Sequence, residues 1–235
     1  MATANRRRRL RGLLAPNGDD TSSALTRICL LAASELSVTG AGVTLIDRAG
    51  HPDAQQRLVL AGDPVAARLE ELQFTVGEGP GLAAATDGVL VLVPDLAAAV
   101  SRWPGFTPGA LAAGAAAVFA FPLTLGAIGV GSLDCYRSSA GRLNDVQVSD
   151  ALLLAELAFE AVLAQIAGHT PEDLGWIGDI HAEVHQASGI VSYEQNLSMQ
   201  AALLRIRAYA YAHDLPVSVV ARQLVTRSLA LDAEE

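Results

Sequence analysis

Four arginines near the C-terminus offer the most legible chemistry in the chain. Arg205 and Arg207 lie two residues apart, and Arg222 and Arg227 follow. Phosphate binding rests on clustered positive charge, so this grouping points to a nucleic-acid backbone. The surrounding charge is small. Between residues 181 and 230 the four arginines stand against Glu183, Glu194 and Asp214, a net of +1. A protein-interaction surface built from the same helices therefore stays open as an alternative.

Other reactive types are sparse. The two cysteines, Cys29 and Cys135, are far apart, lie in apolar contexts and lack metal-ligand spacing. They read as buried, reduced thiols. His181 and His185 are one helical turn apart, a spacing that can serve a metal, but a metal site needs three or four ligands and no further one is near. Gly77, Gly79 and Gly81 are spaced like a phosphate loop, yet no Lys-Ser or Lys-Thr pair follows, and a turn fits better. No Ser–His–Asp set, paired catalytic carboxylates or metal cluster can be argued, so no enzyme activity is expected. No cofactor can be named.

The 235 residues suffice for one ordinary domain and a small one. A net charge of −9 argues against a broadly basic surface. All sixteen basic residues are arginine. The start is Arg-rich, with Arg6 to Arg9 and Arg11, and is followed by Pro16-Asn17-Gly18. Residues 1–20 read as a flexible tail, solvated or giving a supplementary nucleic-acid contact. No secretory leader is evident. Residues 109–132 carry no charge and could span a bilayer by length, but Pro122, Gly126, Gly129 and Gly131 interrupt them. Two buried strands joined near Leu125-Gly126 explain them better. A cytoplasmic protein without membrane contact is expected.

The elements that must position these residues follow from periodicity. Residues 21–36 read as a helix with Leu25, Ile28, Cys29, Ala32 and Leu36 on one face. Strands follow at 41–46 and 58–61, a short helix at 64–72, and a Gly/Pro loop at 74–81. Further strands fall at 88–93, 115–121 and 127–136. Asn144 and Gln147 form a capping box for a helix running to about Ala167, stopped by Gly168. On that helix Leu152, Ala155, Phe159, Val162 and Ile166 form a seam that suits either a paired helix or packing on the sheet. Pro171 and Gly175 then break the chain. Residues 180–191 are helical. Ser198 caps a second helix carrying Ala202, Leu203, Ile206, Tyr209 and Ala210. Pro216 opens a third, running to about Leu231. The expectation is an α+β domain with a central antiparallel sheet, over residues 21–168, then a linker at 169–178. A small all-α three-helix unit at 179–231 and an acidic tail at 232–235 complete the chain.

The last unit resembles the ANTAR domain, the RNA-binding output module of bacterial antitermination regulators. The resemblance rests on Gln186-Ala187-Ser188-Gly189-Ile190-Val191, Ala202, Arg205 to Ala210 (including Tyr209), Leu215-Pro216 and Ala221. It implies a dimer that binds tandem RNA hairpins and prevents transcription termination, with Arg205, Arg207, Arg222 and Arg227 toward RNA. Many members have Lys where this chain has Ser188, and many are more basic. Residues 21–168 resemble the GAF domain, a small-molecule sensor fold. That likeness rests on Gly77-Glu78-Gly79-Pro80-Gly81, Val93-Pro94-Asp95, Arg102-Trp103-Pro104, Phe121-Pro122-Leu123 and Ile128-Gly129-Val130. It implies a pocket near Gly77, Gly79, Asp95 and Trp103, with a ligand the sequence does not identify. Some GAF-fold proteins reduce methionine sulfoxide through a cysteine, for which only Cys29 or Cys135 could serve. Together the resemblances imply a signal-responsive homodimer whose sensor controls an RNA-binding output, the signal passing through the helix that ends near Ala167.

Overall fold

The computed structural model describes residues 2–15, 23–47, 55–125, 128–167 and 182–231. In chain order its elements are α1 (Ala2–Leu14), α2 (Ala24–Glu35), β1 (Gly40–Asp47), β2 (Gln55–Ala61), α3 (Pro64–Val76) and α4 (Pro80–Asp87). β3 (Val91–Val93), a 3-10 turn (Ala97–Ala99), α5 (Phe106–Ala112), β4 (Ala117–Leu125), β5 (Ile128–Arg137) and α6 (Asp145–Ala167) follow. The described chain ends with α7 (Ala182–Gln195), α8 (Met199–Ala212) and α9 (Val217–Val225). The expected linker at 169–178, the stop at Gly168, the turn at Gly126, His181 and the tail at 232–235 lie outside the described residues.

The strands form one antiparallel sheet in the order β2-β1-β5-β4-β3. Alternation along β4 assigns its two faces. Ala117, Phe119, Phe121 and Leu123 join a core with α1, α2 and α6. Val118 and Ala120 join a second core with α3, α4, α5 and β3. Side chains two apart in a strand share a face, so one apolar strand serves both layers. The uncharged stretch at 109–132 is thus explained by burial between two helical layers. Among the described residues no helix is long and apolar enough to cross a membrane.

Local signals act as their chemistry requires. Ser23 and Ser198 accept from the amides of Thr26 and Ala201, each at 3.1 Å. Asn144 and Gln147 exchange reciprocal 2.9 Å bonds at the start of α6.

Several expectations are corrected. The Arg-rich start is not a mobile arm through residues 2–14 but the helix α1. Leu10 is fully buried in the first core. Arg6 pairs with Asp150 at 2.8 Å, Arg9 with Glu35 at 2.8 Å, and Arg7 and Arg11 converge on Glu160. Acids on α2 and α6 neutralise the like charges that would otherwise keep this stretch extended. Residues 74–81 are not one loop. α3 continues to Val76, Gly77 caps it in the left-handed conformation (φ 72°), and α4 begins at Pro80. The strand expected at 88–93 spans only Val91–Val93, after the left-handed Gly88 that ends α4. α9 ends at Val225, with Arg227 at φ 56°, well short of Leu231. Pro216 caps α9 from outside rather than occupying its first turn. Of the α6 seam, left open between a paired helix and sheet packing, Ala155, Phe159 and Val162 are buried in the sheet core and Leu152 is exposed.

Candidate functional site

A polar stripe crosses the sheet beneath α3 and α4. On β5 Ser132, Asp134 and Tyr136 alternate with the core residues Leu133 and Cys135, so the three face the α3 side. The neighbouring strands make room for them. Opposite Ser132, Asp134 and Tyr136 stand Thr44, Gly42 and Gly40 of β1. Ala120 of β4 flanks Asp134 from the other side. α3 lies above the stripe and carries Glu70 and Gln73, one turn apart, on its buried face.

These groups bond across elements. The Thr44 hydroxyl and Gln73 Nε2 (3.1 Å) both donate to Glu70 Oε2. Ser132 Oγ donates to Asp134 Oδ2 at 2.9 Å. Tyr136 OH donates to Asp63 Oδ1 at 2.8 Å, and the same oxygen caps α3 through the amides of Val65 and Ala66. Gln73 Oε1 accepts from the amides of Gly81 (2.8 Å) and Leu82 (3.3 Å) at the start of α4. Gly79 and Gly81 permit this approach. A Cβ at Gly79 would come within 2.6 Å of Gln73 Cγ, and one at Gly81 within 2.7 Å of Asp134 Cγ.

Burial shapes the acid–base behaviour of the cluster. Desolvation drives the Glu70 carboxyl well above the usual carboxylate range, and the neighbouring Asp134 charge pushes it further. Desolvation also raises Asp134, to about 6, against the lowering influence of the Ser132 and Glu70 hydrogen bonds. The two carboxyls act as a pair sharing a proton, which resides on Glu70. Below them, burial and the charges of Asp134, Glu70 and Asp63 push the Cys29 thiol up to about 12. Burial likewise raises Cys135. A thiol nucleophile needs the opposite setting, exposed and electropositive.

The sequence missed this cluster. Its signal was Ser132-x-Asp134-x-Tyr136 inside an apolar strand, together with Glu70 and Gln73 on the apolar face of a helix. Most of the residues expected to line a pocket lie outside this cluster. Gly77 is the cap of α3, and Asp95 holds the Ala97 amide at 3.1 Å from an exposed loop. Trp103 is buried in the second core, with Arg102 stacked 4.3 Å over its ring. Gly79 alone adjoins the cluster, through Gln73.

The C-terminal helices form a second constellation. Ala187, Ala202 and Ala210 are fully buried where α7, α8 and α9 meet, together with Ile206, Val220 and Leu224. Gly189 has nothing within 4 Å of an added Cβ, and Tyr209 stacks on His213 at 3.9 Å. One member of this core comes from outside the unit, Phe74 of α3. Around it Thr75 Oγ1 accepts from the Val217 amide at 3.1 Å, and Glu71 Oε1 from the Ser218 hydroxyl at 2.6 Å. The four arginines do not form one cluster. Arg207 lies 5.3 Å over the Phe74 ring. Arg222 pairs with Glu183 at 3.1 Å and Arg227 with Glu194 at 3.2 Å. Arg205 sits two residues from Arg207 and therefore on a different side of α8. Among the described residues no group of three or more His, Cys, Asp or Glu side chains could hold a metal ion.

Solved structures superpose on much of the chain. A GAF domain from an Acinetobacter phosphoenolpyruvate-protein phosphotransferase superposes with a TM-score of 0.51, covering 72% of this chain and 98% of its own, at 12% identity. Residues of this chain thus form the GAF fold. The GAF domain of a Coxiella burnetii phosphoenolpyruvate-protein phosphotransferase gives 0.50, over 71% of this chain and 96% of its own, at 14% identity. A domain assigned to a two-component sensor histidine kinase protein of Sinorhizobium meliloti 1021 gives 0.51, over 64% and 97%, at 18% identity. No family model and no curated protein matches the sequence. At these identities the GAF likeness fixes the fold, and function must be argued from the residues.

Proposed function

We propose that this protein is a signal-responsive RNA-binding antitermination regulator, in which the GAF-fold unit senses a small molecule and α7–α9 are the output. The observation that carries the reading is Phe74. It projects from the sensor's α3 into the core of the output helices, so the two units share one helix. One turn before Phe74 on the same helix, Glu70, with Gln73 between them, reaches the buried polar cluster. A ligand that displaces Glu70 or Gln73 moves the same helix that holds Phe74, Thr75 and Glu71 against α8 and α9. By linkage, such a ligand acts only through different affinity for the docked and released states.

The ANTAR-like sequence supports RNA as the partner. Ala187, Ala202 and Ala210 occupy close-packed positions between helices, as a three-helix output unit requires. In the described arrangement Arg207 lies against Phe74, and Arg222 and Arg227 are ion-paired within the unit. We read this as the closed, low-affinity state. Release from α3 would free Arg207 for phosphate, and dimerisation would supply a second set of arginines. The raised thiols leave no support for cysteine-dependent catalysis.

A gel shift of the full chain against RNA with tandem hairpins, over a salt series and beside a single-stranded control, tests the assignment. Binding should be specific for the hairpins, weaken steeply with salt, and vanish in the Arg205→Ala/Arg207→Ala double variant. Full-strength binding by the double variant, or equal binding to the single-stranded control, would refute it.

A further inference from the structure

The helix α1 is held against the rest of the chain mainly by charge. Five of the sixteen basic residues fall within positions 6–11. Four of them are met by acids from α2 and α6. Arg6 pairs with Asp150 at 2.8 Å, Arg7 with Glu156 at 2.9 Å and Glu160 at 2.5 Å, Arg9 with Glu35 at 2.8 Å, and Arg11 with Glu160 at 2.6 Å. These arginine side chains stay between 35% and 56% exposed, so salt screens the pairs. Arg8 is exposed and makes no ion pair among the described residues. Apolar anchoring is small. Among the described residues Leu10 is the one buried side chain of α1, with Leu14 partly buried beside it and Leu13 exposed.

The same residues make α1 a poor helix on its own. Arg6 and Arg9, Arg8 and Arg11, and Arg7 and Arg11 stand three or four apart, where like charges repel on a helix. No acid lies in its first turn to meet the helix dipole. Gly12 lies inside it, yet an added Cβ there would meet nothing within 4 Å, so packing does not require the glycine. A helix of 13 residues is marginal in water even when built from good helix formers. α1 therefore has two states, helical and docked on the acids, or released and unfolded. The balance depends on what else offers its arginines oxygen anions, and the guanidinium fork fits phosphate as it fits carboxylate. We propose that α1 is a strap that RNA releases: Glu35, Asp150, Glu156 and Glu160 hold its arginines in cis, and the phosphates of RNA exchange with those acids. The proposal rests on the RNA reading of the output helices and adds to it a second contact, blind to sequence and restrained by the chain's own acids.

The exchange needs no covalent step. Arg8 meets phosphate first, because no pair has to break. Arg9 and Arg11, the most exposed of the paired arginines, follow. Arg6 is the last, since its partner Asp150 is largely buried. Release also withdraws Leu10 from the first core and leaves four acids on α2 and α6 without their counter-charges. Both effects favour the docked state when no polyanion is near. RNA already held by α7–α9 changes that balance, because it raises the phosphate concentration around the tethered helix.

Release is read by iodoacetamide labelling of Leu10→Cys in the full chain, since the native Cys29 and Cys135 are buried. Comparisons stay within that variant, because the substitution itself loosens the anchor. Labelling should accelerate about tenfold when tandem-hairpin RNA or poly(U) is added at low salt, and likewise when potassium chloride is raised without RNA. Unchanged labelling with both RNAs would overturn the proposal. Release by phosphatidylglycerol vesicles but by neither RNA would overturn it too, in favour of a membrane contact. Gel shifts test the consequence in the chain with Leu10 intact. Glu156→Gln/Glu160→Gln should bind both RNAs severalfold more tightly, and adding Arg7→Gln/Arg11→Gln should remove that gain. A gain that survives without the two arginines reports only the reduced negative charge and refutes the strap. Gly12→Ala favours the helix without adding a contact, so it should slow labelling and weaken binding to both RNAs; faster labelling would contradict the two-state argument. Hairpin-specific binding without α1 release removes this proposal alone. Release by both RNAs with no preference for hairpins removes the output assignment alone.

Discussion

Phe74→Ala isolates the joint between the two units. Phe74 is 2% exposed, and its ring belongs to the core of α7–α9 rather than to either core of the sheet. Truncating a fully buried Phe to Ala costs about 3–5 kcal/mol. Here the loss falls on the docking of α8 and α9 against α3, where it also removes the ring beneath Arg207. Taking the lower figure, about 3 kcal/mol, opening of the C-terminal helices becomes on the order of 100-fold more frequent. The assay is native-state hydrogen exchange read separately at Ala202, Ile206 and Val220, in the helices, and at Phe119 and Leu133, in the sheet. The helix amides should exchange faster by that factor, with the sheet amides little changed. Phe74→Leu fills most of the volume but loses the aromatic face, and should cost under about 1.5 kcal/mol. Unchanged helix exchange in Phe74→Ala, or sheet amides accelerating equally, would refute the reasoning that α3 joins two separable cores. Hairpin affinity should rise in Phe74→Ala if docking is what restrains Arg207.

Other outcomes follow from the buried cluster and the helices. Glu70 and Asp134 hold protons more tightly in the fold than in the unfolded chain, Asp134 with a value raised from 3.8 to about 6. The stabilising contribution of Asp134 is therefore fully present only below its unfolded value near 3.8 and is lost as pH rises through about 6. Relative to Asp134→Asn, the wild type should lose on the order of 2 kcal/mol between pH 4 and pH 8, measured by urea unfolding. A pH-independent difference would contradict the burial argument. Gly81→Ala pushes a Cβ against the Asp134 carboxylate and should cost about 1–3 kcal/mol by calorimetry. Gly189→Ala meets nothing within 4 Å inside α7 and should instead stabilise the protein by about 1 kcal/mol. If it also weakens hairpin binding, Gly189 serves close approach by a partner. Cys29 and Cys135 should resist iodoacetamide at pH 8 until the protein is unfolded. Rapid native labelling of either would point to an activated thiol.

Much of the scaffold was legible because its causes are local. A capping residue needs only its own turn, so Ser198 and the Asn144–Gln147 pair could be read directly. The uncharged apolar run at 115–121 could be read as a buried strand, and the structure shows it serving both layers. Where local rules competed, the reading slipped. Gly77, Gly79 and Pro80 suggest a loop, yet they are the end cap of one helix and the start of the next. Consecutive arginines suggest an open arm, yet distant acids on α2 and α6 fold it into a helix.

The functional residues divide along the same line. The sequence by itself determined most of the helices and strands and the small residues on which three helices close. Only the tertiary structure decided which polar residues share a space. Glu70 and Asp134 belong to different elements, and nothing in the spacing of either predicts the other. They meet because the register of β1 against β5 sets Gly42 beside Asp134, and because Gly81 lets α4 close over it. Phe74 follows the apolar pattern of α3 but fills a core made by residues more than a hundred positions later. Hydrophobic burial is non-directional, so the sequence marks a side chain as buried without stating in which core. Register and packing make that choice, and with it they decide which polar groups share a space.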